Sequence, residues 1–379
     1  MKSFRIHHLL QFLNYYETQK LPFDFCLSQY FKNNSAIGSK DKAEIADNAY
    51  KLIRWKGLID YKLTANPTWE QRIEKLFQPD FEEWQKDESI PIHVRASFPK
   101  ELYQLFIDSL GDDEAYRLAM ISNSQAPTTI RVNTLKTSRE TLWNKWKNLY
   151  QISLCKHSPW GIVFHQKIHF FSLPEFKEGL FEIQDEGSQL LADLVEAKPG
   201  QHVLDYCAGA GGKSLAFGTK MQNKGQMYLH DIRTKALLEA KVRMKRSGLQ
   251  NVQFLQENAK QLMKLKKKMD WVLVDAPCSG TGTLRRNPDM KWRFEIEMIQ
   301  RLVGQQRQIF EKALSYLNPS GKIVYGTCSI LRQENEEQME HFLKTYPLEI
   351  VNSPLLIRPE TNGMDGFFGV VFQWKKKNI

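Results

Sequence analysis

The chain has 379 residues, 42% of them hydrophobic, and a formal net charge of +10. Its length calls for more than one domain and its composition for a globular chain. No apolar run reaches the roughly eighteen residues of a membrane helix, and no signal-peptide core follows Met1-Lys2-Ser3-Phe4-Arg5, so a cytoplasmic protein with no membrane partner is expected.

In chain order, residues 1–90 are helical in pattern. Leu9, Leu10 and Leu13 share one face, as do Ile45, Ala49, Tyr50 and Ile53, with breakers at Leu21-Pro22 and Gly38-Ser39. Prolines at 91 and 99 mark a junction into a mixed α+β segment, residues 91–182. It holds two helical stretches to about Ser122, then strands at 128–133, 161–164 and 179–184. From residue 183 to 379 strands and helices alternate. Strands fall at Val203–Tyr206, Met227–His230, Val252–Leu255, Trp271–Val274 and Lys322–Tyr325, and a last one follows Asp365-Gly366. Helices run from Lys213, from Thr234 to Ser247 and from Glu295 to Tyr316. That alternation predicts an α/β fold with a parallel, doubly wound, Rossmann-like sheet.

The basic excess favours a polyanionic partner. Basic residues recur beside aromatics in Arg54-Trp55-Lys56, Trp143-Asn144-Lys145-Trp146-Lys147 and Arg285-Arg286…Lys291-Trp292-Arg293, a mixture suited to phosphate contact and base stacking. Any one such cluster also fits a solvated face with one buried aromatic. The run Lys264-Leu265-Lys266-Lys267-Lys268 reads as a solvated loop face.

The chemistry-bearing residues gather at predicted strand ends, where an open α/β sheet opens its ligand crevice. The turn Cys207-Ala208-Gly209-Ala210-Gly211-Gly212-Lys213-Ser214 is not a phosphate loop, because Cys207 stands where that motif needs glycine. It reads instead as a turn whose bare backbone approaches a nucleotide-like cofactor, with Asp231 at the next strand end to hold ribose hydroxyls. Of the five cysteines, Cys26 and Cys155 read as small buried hydrophobes. No C-x-x-C pair and no His/Cys cluster occurs, so neither a metal nor a disulfide framework is expected. Cys278 and Cys328 each close an apolar run and should reach one pocket. Cys328 faces a predicted helix start, which would favour thiolate.

Asp275-Ala276-Pro277-Cys278-Ser279-Gly280-Thr281-Gly282 and Thr327-Cys328-Ser329 resemble the motifs of RNA cytosine-C5 methyltransferases of the RsmB/Nop/Sun type. So do Arg131-Val132-Asn133-Thr134, Gln184-Asp185-Glu186-Gly187-Ser188, Glu334-Asn335-Glu336 and Asp365-Gly366-Phe367-Phe368. The resemblance runs from about residue 95 to the end. The helical segment, with Leu21-Pro22-Phe23-Asp24 and Gly38-Ser39-Lys40-Asp41-Lys42, is similar to the NusB-like N-terminal domain of the bacterial branch.

The resemblance implies a NusB-like domain over 1–90, an RNA-binding α+β subdomain over 91–182 and a class I methyltransferase domain over 183–379. S-adenosylmethionine is the implied cofactor, held by Cys207, Ala208, Gly209, Ala210, Gly211, Gly212, Lys213, Asp231, Asn258 and Asp275. Cys328 is the implied nucleophile toward carbon 6 of cytosine, Asp275 the group that hydrogen-bonds the base near N3, and Cys278 a participant in release. Lys213 either contacts substrate or cofactor or is a surface lysine at a helix start. Small-subunit ribosomal RNA is the expected substrate, transfer RNA the alternative, and a non-catalytic ribosome-assembly factor the alternative of another class. DNA is disfavoured, since DNA enzymes of this chemistry use the Pro-Cys thiol as nucleophile. A metal-free monomer is expected. Two positions depart from the pattern: Asn258 stands where many relatives carry Asp, and Ala236 where many carry Lys or Arg, a contact Arg233 or Lys235 could replace.

Overall fold

The computed structural model describes residues 3–63, 65–256 and 260–376. The chain forms two compact units, one of Met1–Gln125 with Thr283–Ile296, the other of Ala126–Gly282 with Glu297–Ile379.

The first unit is helical: α1 (Ser3–Glu17), α2 (Phe23–Asn33), α3 (Ser39–Tyr61), α4 (Trp69–Leu76), α5 (Lys100–Leu110) and α6 (Asp112–Ser122), besides single turns. Apolar residues at helical spacing, among them Leu9, Phe12 and Leu13 of α1 and Ile45, Ala49, Leu52 and Ile53 of α3, bury one face of each of α1 to α4 in a shared core. Residues 91–125 belong with this unit rather than with the strands that follow them, a division that differs from the boundary expected near residue 90. A side chain holds them there: Ser97 Oγ accepts the Gly57 N–H at 2.9 Å and the Leu58 N–H at 3.4 Å.

The segment Thr283–Ile296 is built into the same unit. Trp292 Nε1 donates to the Ile53 carbonyl at 2.6 Å. Lys291, 1% exposed, donates to Asn123 Oδ1 at 2.6 Å and the Arg54 carbonyl at 2.7 Å. These contacts take Lys291 and Trp292 out of the phosphate-and-stacking reading, whereas Asn144, Lys145 and Lys147 around the buried Trp146 form a solvated face with one buried aromatic. Arg285 and Lys291 are 1% exposed, as is Trp146 in the second unit, and Trp55 is 9% exposed. A sequence cannot separate such residues from surface ones, because a buried cation with carbonyl acceptors has the same local pattern as a solvated one.

In the second unit a four-stranded antiparallel sheet has the order β2-β3-β1-β4, from β1 (Thr128–Val132), β2 (Ile152–Leu154), β3 (Gly161–Phe164) and β4 (Phe181–Ile183), with helix α7 (Arg139–Trp146) after β1. One face buries Ile130, Val132, Ile162, Phe164 and Phe181 with Leu142 and Trp146 of α7. Helix α8 (Glu186–Asp193) follows; Asp185 caps it by accepting the Gly187 N–H at 2.8 Å.

The larger sheet contains β5 (His202–Asp205), β6 (Gln226–His230), β7 (Val252–Leu255), β8 (Met269–Asp275), β9 (Leu317–Thr327), β10 (Leu348–Ile350), β11 (Leu355–Ile357) and β12 (Phe367–Trp374). Its order is β10-β12-β9-β8-β5-β6-β7, with β11 paired to β12. Strands β5 to β9 pair in parallel, whereas β12 runs antiparallel to β9. The expected doubly wound sheet is therefore mixed at one edge. Its helices are α9 (Gly212–Gly218), α10 (Thr234–Ser247), α11 (Ile296–Leu314) and α12 (Glu336–Thr345).

Alternate residues feed two cores. Val203, Leu273 and Val324 pack with Leu191, Leu215, Phe217, Leu237 and Ala240. Leu204, Val272, Val274, Ile323 and Tyr325 pack with Phe310, Ala313 and Phe342. Burial on both faces is why β5, β8 and β9 read as continuous apolar runs. The chain builds β5, β6 and β7 outward in one direction and then β8 and β9 on the other side of β5, so the strand order switches between β5 and β8 and opens a crevice at the carboxyl ends.

Candidate active site

Four strand ends deliver the expected residues to that crevice. After β5, Gly209 (φ 53°) and Gly211 (φ 77°) turn the chain into α9 through left-handed conformations. A Cβ on Gly211 would lie 2.8 Å from the Met244 methyl, the movable end of a flexible side chain, so the left-handed backbone is what favours glycine there. Asp231, at the end of β6, accepts the Gly209 N–H at 2.8 Å and ties the turn to the next strand. The Arg233 guanidinium reaches the same carboxylate at 3.0 Å. Burial pulls the Asp231 carboxyl upward, but bonds from the Arg233 side chain, the Arg233 N–H and the Gly209 N–H overcome this and hold it below the ordinary value. Burial pushes the Cys207 thiol well up, so Cys207 contributes backbone to the turn rather than a reactive sulfur.

Beneath the turn lies Asp205, 1% exposed. Ser214 Oγ donates to its Oδ2 at 2.5 Å, while Oδ1 is buried with no hydrogen-bond partner among the described residues. A buried acceptor without a donor, beside a turn of bare backbone, suits a ligand that brings an amino group and a ribose, as S-adenosylmethionine does. Asn258 lies outside the described residues.

Beyond β8 and β9 stand the groups for chemistry. Lys213 Nζ meets Asp275 Oδ2 at 2.5 Å, with side-chain exposures of 12% and 29%. Lys213 is thus a half-buried partner of Asp275 and not a surface lysine. Burial would lower its pKa; the Asp275 carboxylate outweighs burial and keeps the ammonium above its ordinary value.

The Cys278 and Cys328 sulfurs lie 3.4 Å apart, and both thiols are free. Cys328 is held below the ordinary thiol value, first by the hydrogen bond from Cys278, against burial and the Asp275 charge, with the Lys213 charge assisting. Cys278 is held well above it, by the same hydrogen bond, then by burial and by the charges of Cys328 and Glu334. This corrects the origin expected for the thiolate. The helix after β9 begins only at Glu336, and the neighbouring thiol supplies the stabilisation.

Behind the sulfurs the two loops are stitched together by residues whose roles sequence reasoning did not assign. Glu334, 0% exposed, accepts the Ser279 N–H at 2.9 Å, the Ser279 hydroxyl at 2.5 Å and Gln306 Nε2 at 3.0 Å. Gly282 N–H donates to the Cys328 carbonyl at 2.9 Å, and a Cβ on Gly282 would sit 2.3 Å from the Gly366 carbonyl oxygen. Asn335 Oδ1 accepts the Thr327 hydroxyl at 2.6 Å while its Nδ2 donates to the Ser329 carbonyl. Glu334-Asn335 stands out as a motif in the sequence; Gln306, in the middle of α11, carries no local signal.

A family model described as 16S rRNA methyltransferase RsmB/F matches residues 192–372, and one for an RsmF/B-like ferredoxin-like domain matches residues 98–170. A probable ribosomal RNA small subunit methyltransferase B from Synechocystis sp. is 30% identical over 301 residues, covering 74% of this chain and 68% of that protein. The chain spans 56 to 73% of the length of eight curated relatives, all small-subunit ribosomal RNA methyltransferases B by name. Among solved structures, a methyltransferase homolog from Pyrococcus horikoshii is 27% identical, with a TM-score of 0.65, over 75% of this chain and 98% of its own. The structure of PH0851 shares the fold with a TM-score of 0.82 at 23% identity, over 98% of this chain and 99% of that one. Taken with the strand-end site, these similarities make the chain a member of the RsmB/F family of 16S rRNA methyltransferases, which use S-adenosylmethionine.

Proposed function

We propose that the protein methylates carbon 5 of a cytosine in small-subunit ribosomal RNA through a covalent bond from Cys328 Sγ to carbon 6 of the base. The observation that carries this reading is the pair of sulfurs 3.4 Å apart at the ends of adjacent parallel strands. Carbon 5 of cytosine is too weak a nucleophile to take a methyl group unaided. Addition of a thiolate at carbon 6 makes it enamine-like, and the lowered pKa of Cys328 supplies that thiolate.

As carbon 6 is attacked, N3 gains electron density and needs a proton. The Lys213–Asp275 pair holds one in a hydrogen bond 2.5 Å long and can share it with the base. Bound S-adenosylmethionine supplies an electrophilic methyl group on its sulfonium. Release requires loss of the carbon-5 proton and expulsion of the Cys328 thiolate. Once Cys328 is a neutral thioether, the anion that holds the Cys278 proton is gone. Cys278 then ionises more easily, at the stage when a base is needed.

The target base must be flipped out or single-stranded to reach the crevice, and the net charge of +10 suits an RNA partner. We read residues 1–90 as the NusB-like domain of the family, the antiparallel sheet as its RNA-binding part, and the whole as a metal-free cytoplasmic monomer. The test is bisulfite sequencing of total RNA from cells with and without the gene. Loss of protection at one small-subunit ribosomal cytosine is the expected result. Loss at a transfer RNA site would replace the substrate, and no change anywhere would favour an assembly factor that binds RNA without turnover.

A further inference from the structure

The turn after β5 is held from outside the large sheet. Its Ala210 carbonyl accepts a hydrogen bond from Arg243 Nη1 of α10 at 2.9 Å. The same guanidinium donates to Glu182 Oε2 through Nη2 at 3.0 Å and Nε at 3.2 Å. Two residues further along the turn, the Gly212 carbonyl accepts Gln184 Nε2 at 3.3 Å. Glu182 belongs to β4 and Gln184 lies one residue beyond it, and at a spacing of two they share a face of the small sheet. Arg131 sits directly opposite Glu182 on β1, and its Nε donates to Gln184 Oε1 at 2.7 Å. That bond commits the amide oxygen to Arg131 and turns the NH2 toward Gly212.

We infer that Arg243 and Gln184, anchored on the small sheet by Glu182 and Arg131, are positioning residues that hold the S-adenosylmethionine turn in its binding conformation. The Asp231 carboxylate fixes the Gly209 N–H, and the Ala208 and Gly211 N–H groups donate to the His230 and Ala208 carbonyls, so the brace adds contacts to the carbonyls of Ala210 and Gly212. Gly209 and Gly211 bring no side chains and would be conformationally free in isolation. Each carbonyl that a side chain fixes removes a rotation the cofactor would otherwise have to freeze on binding. Glu182 is 5% exposed, and it also pairs with Arg246 at 2.5 Å, so its carboxylate stays compensated when Arg243 is removed. The brace links the sheet read as RNA-binding to the cofactor turn. The inference rests on the reading of that turn as the cofactor site.

Calorimetric titration of the full-length protein with S-adenosylmethionine tests both in separable ways. Wild type that binds no cofactor would overturn the reading of the turn itself. If wild type binds, Arg243→Met should weaken binding about tenfold, the scale of one hydrogen bond to a charged group. Lys245→Met, which removes the same charge from the exposed side of the same helix, should bind within twofold of wild type. In steady state, KM for S-adenosylmethionine should rise with Arg243→Met while KM for RNA stays unchanged, a split that general loosening of the fold would not give. Gln184→Leu removes the bond to the Gly212 carbonyl together with those to Arg131 Nε and Ser188 Oγ, and it carries the same test should Arg243→Met fail to fold. Wild-type affinity in both folded variants would overturn the inference, as would an equal loss in Lys245→Met.

Discussion

Cys278 and Cys328 bring their sulfurs to 3.4 Å although fifty positions separate them in the chain. The parallel pairing of β8 with β9 causes this: Asp275 lies opposite Gly326, so the loops after the two strands emerge side by side. One thiol is held up and its neighbour down, which divides the labour between them.

Substituting each thiol should therefore give different failures. Cys328→Ala should abolish methylation while S-adenosylmethionine still binds in calorimetry. Cys278→Ala should leave the first bond able to form and slow its release, so that protein–RNA adduct accumulates on denaturing gels. Turnover by Cys328→Ala, or the absence of adduct with Cys278→Ala, would contradict the assignment.

The pH dependence of thiol alkylation follows from the same pair. A hydrogen bond donated to Cys328 favours its thiolate, as does the Lys213 charge. Removing either raises its pKa. The pH at which the Cys328 peptide is half-alkylated by iodoacetamide should rise in Cys278→Ala and in Lys213→Met. An unchanged or lower midpoint would show that neither group tunes Cys328.

Asp205 has the opposite sign from the usual aspartate. Burial pushes its carboxyl up to about 7, from an ordinary 3.8, with the Ser214 hydroxyl pulling against it. The folded protein thus keeps a proton there that the unfolded chain loses above pH 4 or so. Its contribution to stability is intact below about 3.8 and declines as pH rises through that window toward 7. Without cofactor, Asp205→Asn should gain stability relative to wild type as pH rises from about 4 to 7, read as a difference in urea midpoint that grows across that window and levels off above it. A difference constant with pH would refute the buried, uncharged state.

Glu334 is the acceptor on which the Cys278 loop closes. Glu334→Ala leaves the Ser279 N–H, the Ser279 hydroxyl and Gln306 Nε2 without it. The Ser279 hydroxyl keeps Thr281 and Ser329 and Gln306 Nε2 keeps the Pro277 carbonyl, so the Ser279 N–H is the donor left unmet and the loss should be about 1–3 kcal/mol in chemical denaturation. Glu334→Gln keeps one oxygen and should lose less. Equal, small losses in both would mean the loop is held by other contacts.

Much of the fold was legible because burial on both faces leaves a plain record. Val203-Leu204 and Trp271-Val272-Leu273-Val274 are unbroken apolar runs for that reason. The strand ends, and so the positions of Gly209, Asp231, Asp275, Cys278 and Cys328, followed from them. What stayed hidden depends on partners distant in the chain. Strands β2, β10 and β11 span three residues each, too short for an alternating pattern to register. Lys291 reads as surface until Asn123 and the Arg54 carbonyl are found beside it. The sequence left Lys213 open between a substrate or cofactor contact and a surface lysine, and the surface alternative falls only once β8 brings Asp275 to its ammonium.

Peptide mapping of the adduct that Cys278→Ala forms with RNA and S-adenosylmethionine tests the central claim most directly. After nuclease digestion, mass spectrometry should find the residual methylated cytidine on the peptide that carries Cys328 and on no other cysteine. Attachment to Cys207, Cys155 or Cys26, or a Cys328 peptide of unmodified mass within a verified adduct, would contradict nucleophilic catalysis by Cys328.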